Sequence, residues 1–125
     1  MNIVAVGLDA TDIPRVEETF RRFGDRFLRR VFTDAEIAYC VRHRNPAPHL
    51  AARFAAKEAA MKALGTGRSQ GVLWREIEVV RHGGPPQLRL HGTAAARFAS
   101  LGATRALLSL THAESLALAQ VLFLS

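Results

Sequence analysis

Arg53-Phe54-Ala55-Ala56-Lys57-Glu58-Ala59-Ala60-Met61-Lys62-Ala63-Leu64-Gly65 is the most informative stretch of the chain. The segment from about His49 to Leu64 is rich in strong helix formers. It stops at Gly65, the residue type that adopts the left-handed conformation just past a helix end. Its alanines project so little that neighbouring backbone can approach closely. Glu58 and Lys62 stand four residues apart and share a face, with Ala51, Phe54 and Ala55 on or near it. A carboxylate and an ammonium so placed are either an exposed helix-stabilising pair or a site in a groove, and spacing alone favours the pair.

Upstream, Ile3 to Leu8 is short, apolar and β-branched, a buried strand closed by Asp9. The pleat puts Ile3, Ala5, Gly7 and Asp9 on one side and Val4, Val6 and Leu8 on the other. Asp12 is an N-cap, with Pro14 in the first turn of a helix predicted to reach about Val31. Val16, Phe20, Phe23 and Phe27 predict a core-facing stripe, and Arg15, Arg22, Arg26 and Arg29 a second stripe about 100° around the axis. Thr33 to Glu36 is a capping box opening a short helix towards His43, and Asn45-Pro46-Ala47-Pro48 reads as a loop.

Downstream, Gly65 to Gly71 reads as a mobile glycine loop. Val72 to Arg81 and Gln87 to His91 read as strands joined by Gly83-Gly84-Pro85-Pro86. Thr93 is expected to cap a small-residue helix ending near Gly102. Two last strands, Ala106 to Thr111 and Leu116 to Leu124, flank His112-Ala113-Glu114-Ser115. The order β-α-α-α-β-β-α-β-β predicts an α+β fold, an antiparallel sheet packed with helices, in a single domain over residues 1–125. No repeat, linker or low-complexity tract interrupts it.

The 125 residues are 49% apolar and 22% charged, an ordinary globular composition that excludes whole-chain disorder. The single cysteine, Cys40, excludes an internal disulfide and any multi-cysteine metal site, and favours a reducing compartment. The net charge of +6 favours polyanionic partners: nucleic acid, an anionic membrane, a phosphate-rich ligand or an acidic protein. The first residues lack the basic and apolar regions of a signal peptide, and Leu116 to Leu124 is too short to span a bilayer. A cytoplasmic protein that takes neither nucleic acid nor membrane is the expectation, because no aromatic residues interleave with the arginine stripe to stack bases.

Asp9, at the end of a buried strand, stands where ligands commonly bind, or else helps to cap the following helix. Two acids brought together with bound phosphate would make a hard-cation site for Mg²⁺. His112 alone reads as a structural histidine. No phosphate-binding Gly-x-x-x-x-Gly-Lys-Ser/Thr loop, Gly-x-Ser-x-Gly elbow or His-Glu-x-x-His helix is present.

In order, Gly7-Leu8-Asp9 with Arg15, Phe32-Thr33-x-x-Glu36, the run Arg53 to Gly65, Gly71-x-x-Trp74-x-x-Ile77-Glu78-Val79, Gly84-Pro85-Pro86 and Ser109-Leu110-Thr111-His112 resemble the holo-[acyl-carrier-protein] synthase family. The resemblance covers nearly the whole chain. It implies a 4′-phosphopantetheinyl transferase that moves phosphopantetheine from coenzyme A to a serine of apo acyl carrier protein in fatty acid biosynthesis, releasing adenosine 3′,5′-bisphosphate. It further implies a homotrimer with coenzyme A in clefts between subunits. On the same resemblance Asp9 and Glu58 are magnesium ligands, with Mn²⁺ as the alternative ion, and Lys62 lies near the transferred phosphate. Arg53, Gly65, Pro86 (or its neighbour Pro85) and His112 line the coenzyme cleft. Arg15 meets the carrier, and Arg22 and Arg26 share its face. Either Glu58 or a metal-bound water takes the serine proton. The rival readings are a polyketide or other specialised carrier as acceptor, or a basic nucleic-acid or lipid binding module.

Overall fold

The computed structural model describes residues 1–65 and 71–125. Strand β1 (Ile3–Asp12) leads into helices α1 (Ile13–Phe23), α2 (Asp25–Val31), α3 (Asp34–Val41) and α4 (Ala47–Leu64). A 3₁₀ turn (Trp74–Glu76) then precedes strands β2 (Ile77–Val80) and β3 (Gln87–Leu90), helix α5 (Gly92–Ser100), and strands β4 (Arg105–Ala113) and β5 (Leu116–Leu124). This is the α+β order read from the sequence, with the first helix divided in two. Of the expected glycine loop, residues 66–70 lie outside the described residues.

Strand β5 is the middle of an antiparallel three-stranded sheet, β1-β5-β4, and β2 and β3 form a separate antiparallel pair. On β5, Ala117, Ala119, Val121 and Phe123 alternate inward and are buried. Against them lies α4, whose Ala55, Ala56, Ala59, Ala60 and Ala63 are buried with them. The approach is close enough that a Cβ on Gly7 of β1 would stand 1.8 Å from the Ala59 carbonyl oxygen. Small residues on both partners are what permit this contact, and it fixes the alanine helix across Asp9's side of the sheet.

Several local expectations are corrected. Strand β1 runs on to Asp12, so Asp9 lies within it rather than closing it. Gly24, at φ 54°, breaks the predicted helix over 12–31, because a left-handed residue cannot continue the right-handed ladder. Phe23, the last residue of α1 before the break, is exposed, while Val16 stays in the core. Helix α4 begins at Ala47, since Pro48 is well tolerated in a first turn that needs no N–H. The strand expected from Val72 is shortened to Ile77–Val80 by the 3₁₀ turn. Thr93 does not cap α5: the helix starts at Gly92, and the Thr93 N–H and hydroxyl both donate to Glu76. Asp12, Thr33 and Gly65 act as read. The Asp12 carboxylate accepts from the Arg15 N–H, Thr33 and Glu36 complete their capping box, and Gly65 ends α4 at φ 74°.

The other face of the sheet is largely apolar and is not covered by any of the described residues. The register aligns Val6, Leu122 and Leu107 in one row and Leu8, Gln120 and Ser109 in the next. Val6, Leu8, Leu107 and Leu116 are exposed.

Candidate functional site

The pleat of β1 aims Asp9 towards α4, and there Lys62 Nζ meets it. Lys62 donates to Asp9 Oδ1 at 3.0 Å and to the Leu8 carbonyl at 2.9 Å. The second carboxylate oxygen, Oδ2, accepts from the Thr11 hydroxyl at 2.9 Å. Asp9 is thus oriented by a partner on each oxygen, on a strand packed against α4 on that same side. Lys62 is more than half exposed and Asp9 is mostly enclosed, so the cation is the member of the pair with room to move.

Asp9 and Glu58 line one cleft of about 770 Å³. Its inner walls are apolar, from Phe27, Phe54, Trp74 and Leu116, and its rim is basic, from Arg15, Arg26 and Arg30. The Phe54 and Trp74 rings pack 5.8 Å apart. Arg22 is not among the lining residues; its guanidinium lies 5.3 Å from the centre of the exposed Phe23 ring. Arg29 is exposed and also outside the lining. Thr11, Trp74 and Arg30 also line the candidate cleft, and the sequence reading did not single them out as site residues. For Arg30 the signal was hidden by Gly24, which changes which arginines share a face with Arg15.

A second, smaller cleft of about 350 Å³ lies on the other side of α4. Tyr39, His49, Arg53, Arg81 and His112 are among its lining residues. Arg53 and Glu58 are five residues apart on one helix, about 140° around its axis, so one side chain cannot serve both clefts. Arg53 is buried with its guanidinium 4.0 Å from the Tyr39 ring centre, and its Nε has no hydrogen-bond partner among the described residues. The His43 and His49 rings stack at 3.7 Å. Burial, and then repulsion from His43, Arg53, His112 and Arg81, holds the His49 imidazole below its ordinary value. Surroundings so rich in cations favour an anionic ligand. Gly65 and Pro86 line neither cleft.

Comparison with known proteins decides the family. The model described as ACPS, 4′-phosphopantetheinyl transferase superfamily, matches residues 5–120. A holo-[acyl-carrier-protein] synthase of Koribacter versatilis (strain Ellin345) is 50% identical over 121 residues, spanning 96% of this chain and 97% of its own. The chain belongs to the holo-[acyl-carrier-protein] synthase family. It is accordingly an enzyme, a phosphopantetheinyl transferase. The crystal structure of the family member from Neisseria meningitidis superposes with a TM-score of 0.87 at 32% identity, covering 99% of this chain and 100% of that one. A Chronobacterium ammoniagenes synthase solved as its coenzyme A complex superposes at 0.83 and 32% identity, covering 98% and 97%.

Among the described residues no three His, Cys, Asp or Glu side chains gather in a way that could hold a metal. Within this holo-[acyl-carrier-protein] synthase chain, Asp9 and Glu58 nonetheless offer hard oxygen donors to one cleft. Two carboxylates fit the way Mg²⁺ is usually held, by one or two protein carboxylates with phosphate and water oxygens completing the shell.

Proposed function

We propose that this enzyme transfers 4′-phosphopantetheine from coenzyme A to a serine of apo acyl carrier protein in fatty acid biosynthesis, in the cytoplasm, as a Mg²⁺-dependent homotrimer. The observation that carries the reading is a cleft with a basic rim that Asp9 and Glu58 both line, with Lys62 bonded to Asp9. Bound to Asp9 and Glu58, a divalent cation would supply charge neutralisation and Lewis-acid polarisation of the pyrophosphate. Glu58, or a water held by the cation, would accept the serine proton. The serine oxygen then bonds to the pantetheine-bearing phosphorus as the bond to adenosine 3′,5′-bisphosphate breaks. Lys62, on its flexible stem, can leave Asp9 and follow the charge that develops on the phosphate oxygens, since phosphoryl transfer depends chiefly on positioning and charge stabilisation. Arg15 and Arg26 on the rim suit the acidic surface of a carrier protein.

Two features support the trimer with sites between subunits. The apolar sheet face around Val6, Leu8, Leu107 and Leu116 is the kind of surface that self-association covers. Arg53 and His112 lie across α4 from Asp9 and Glu58, so a coenzyme that uses all four needs two copies of the chain. Mass spectrometry of apo acyl carrier protein after incubation with enzyme, coenzyme A and Mg²⁺ tests the reading. A gain of one phosphopantetheine on serine is expected from the wild type and not from Glu58→Gln. An unmodified carrier in the wild-type reaction would contradict it.

A further inference from the structure

We propose that the buried Lys57–Glu36 ion pair is a positioning device for the transfer cleft: it fixes the roll of α4 and the seat of Trp74, and thereby where Glu58 and the indole wall stand. The inference rests on the reading of that cleft as the site of transfer.

Both side chains are wholly enclosed, with Lys57 Nζ 2.6 Å from Glu36 Oε1. Lys57 spends its two other donors on the Trp74 carbonyl at 3.1 Å and the Ile77 carbonyl at 2.6 Å. Glu36 accepts from the Thr33 N–H on Oε1 at 2.9 Å and from the Val79 N–H on Oε2 at 2.8 Å. Two side chains therefore join the start of α3, the middle of α4, the 3₁₀ turn and β2. A buried pair of this kind returns little net stability, because desolvation offsets the attraction, and apolar residues of similar volume often do as well. What three ammonium donors matched to three acceptors do supply is direction.

Two of those acceptors bracket the 3₁₀ turn that carries Trp74, whose ring packs on Phe54 and walls the cleft beside Glu58. Lys57 and Glu58 are neighbours on α4, so anchoring the azimuth of one sets that of the other. Glu76, accepting from the Leu73 and Thr93 N–H groups, holds the far side of the same turn. Without the pair, α4 and the turn would keep their apolar packing and lose their mutual register.

Trp74 is the only tryptophan, so its fluorescence reads the wall directly. Single substitutions strand a buried charge, so the double variant Glu36→Leu/Lys57→Met is the first test. We expect it to fold with a denaturation midpoint near wild type and a red-shifted Trp74 emission. Its kcat should fall about tenfold or more, the scale seen when groups that orient site residues are removed. Its KM for coenzyme A should stay within about twofold, as for a loss confined to the transition state. A folded double variant with wild-type emission and wild-type kcat would overturn the proposal and leave the pair a part of the fold alone. Should the double variant not fold, Glu36→Gln brings one oxygen to three donors, and the same two readouts decide in the same way. A wild-type protein that modifies no carrier would overturn the transferase reading instead, while the emission of the variants would still report on the pair.

Discussion

An ammonium resting on a carboxylate can give way to a divalent cation, and at Asp9 such an exchange would link Lys62 to both binding and chemistry. Lys62→Met removes the partner of Asp9 Oδ1 and leaves the Thr11 bond intact. The variant is expected to bind Mn²⁺ alone at least as tightly as wild type, measured by calorimetry, and to turn over far more slowly. Weaker Mn²⁺ binding would mean that Lys62 supports the metal site rather than competing with it. Asp9→Ala and Glu58→Ala should each abolish useful turnover. If they share one ion, the double variant should fall short of additivity by about 1–3 kcal/mol; independent, modest losses would return both acids to structural roles. These three residues were legible because each has its place fixed locally, Asp9 by strand parity and Glu58 and Lys62 by helical spacing. Thr11 and Trp74 were not, because what brings them to the cleft is the continuation of β1 and a 3₁₀ turn, neither of which has a periodic signature.

At the level of elements, the contact between β1 and α4 depends on Gly7. A methyl group there meets the Ala59 backbone rather than a side chain that could swing aside. Gly7→Ala should destabilise the fold by about 3 kcal/mol, the upper end of ordinary overpacking, read by chemical denaturation. A loss below about 1 kcal/mol would show that the helix can slide on the sheet. The break at Gly24 makes a second prediction. Arg15→Glu and Arg26→Glu, on the cleft rim, should raise the KM for carrier and leave that for coenzyme A nearly unchanged. Arg22→Glu, directed to Phe23, should do less. Added salt should weaken wild type towards the rim variants, since exposed charges are screened over roughly 8 Å at physiological ionic strength. Equal effects at Arg15 and Arg22 would place the docking surface across the whole of α1. The capping box at Thr33 was plain in the sequence, but its Glu36 doubles as the partner of a buried lysine. A lysine in an alanine-rich helix reads as surface until the tertiary structure encloses it.

For the molecule as a whole, acid stability follows from Glu76 and Glu78. Burial raises both carboxyls, but hydrogen bonds outweigh it, from Leu73 and Thr93 at Glu76 and from His91 and Thr33 at Glu78. Both are therefore held below the ordinary 4.5. Their contribution is complete above that value and is lost as pH falls through the depressed folded values, because the unfolded chain binds the protons first. Denaturation midpoints should drop below about pH 4.5, and Glu78→Gln should flatten that limb; an unchanged acid limb would assign the loss to other carboxylates. The element order was readable along the chain. The separation of His112 from Asp9 into two clefts was not, because only the folded sheet puts them on opposite flanks of α4. The proposal that one site draws on both clefts is the centre of the account, and mixed subunits test it. Glu58→Ala and His112→Ala should each be inactive alone. Coexpressed and assembled at random, they should recover about a quarter of wild-type carrier modification, the share of cyclic interfaces that receive one intact half from each neighbour. Activity no greater than the sum of the separate variants would contradict a site built between two copies of the chain.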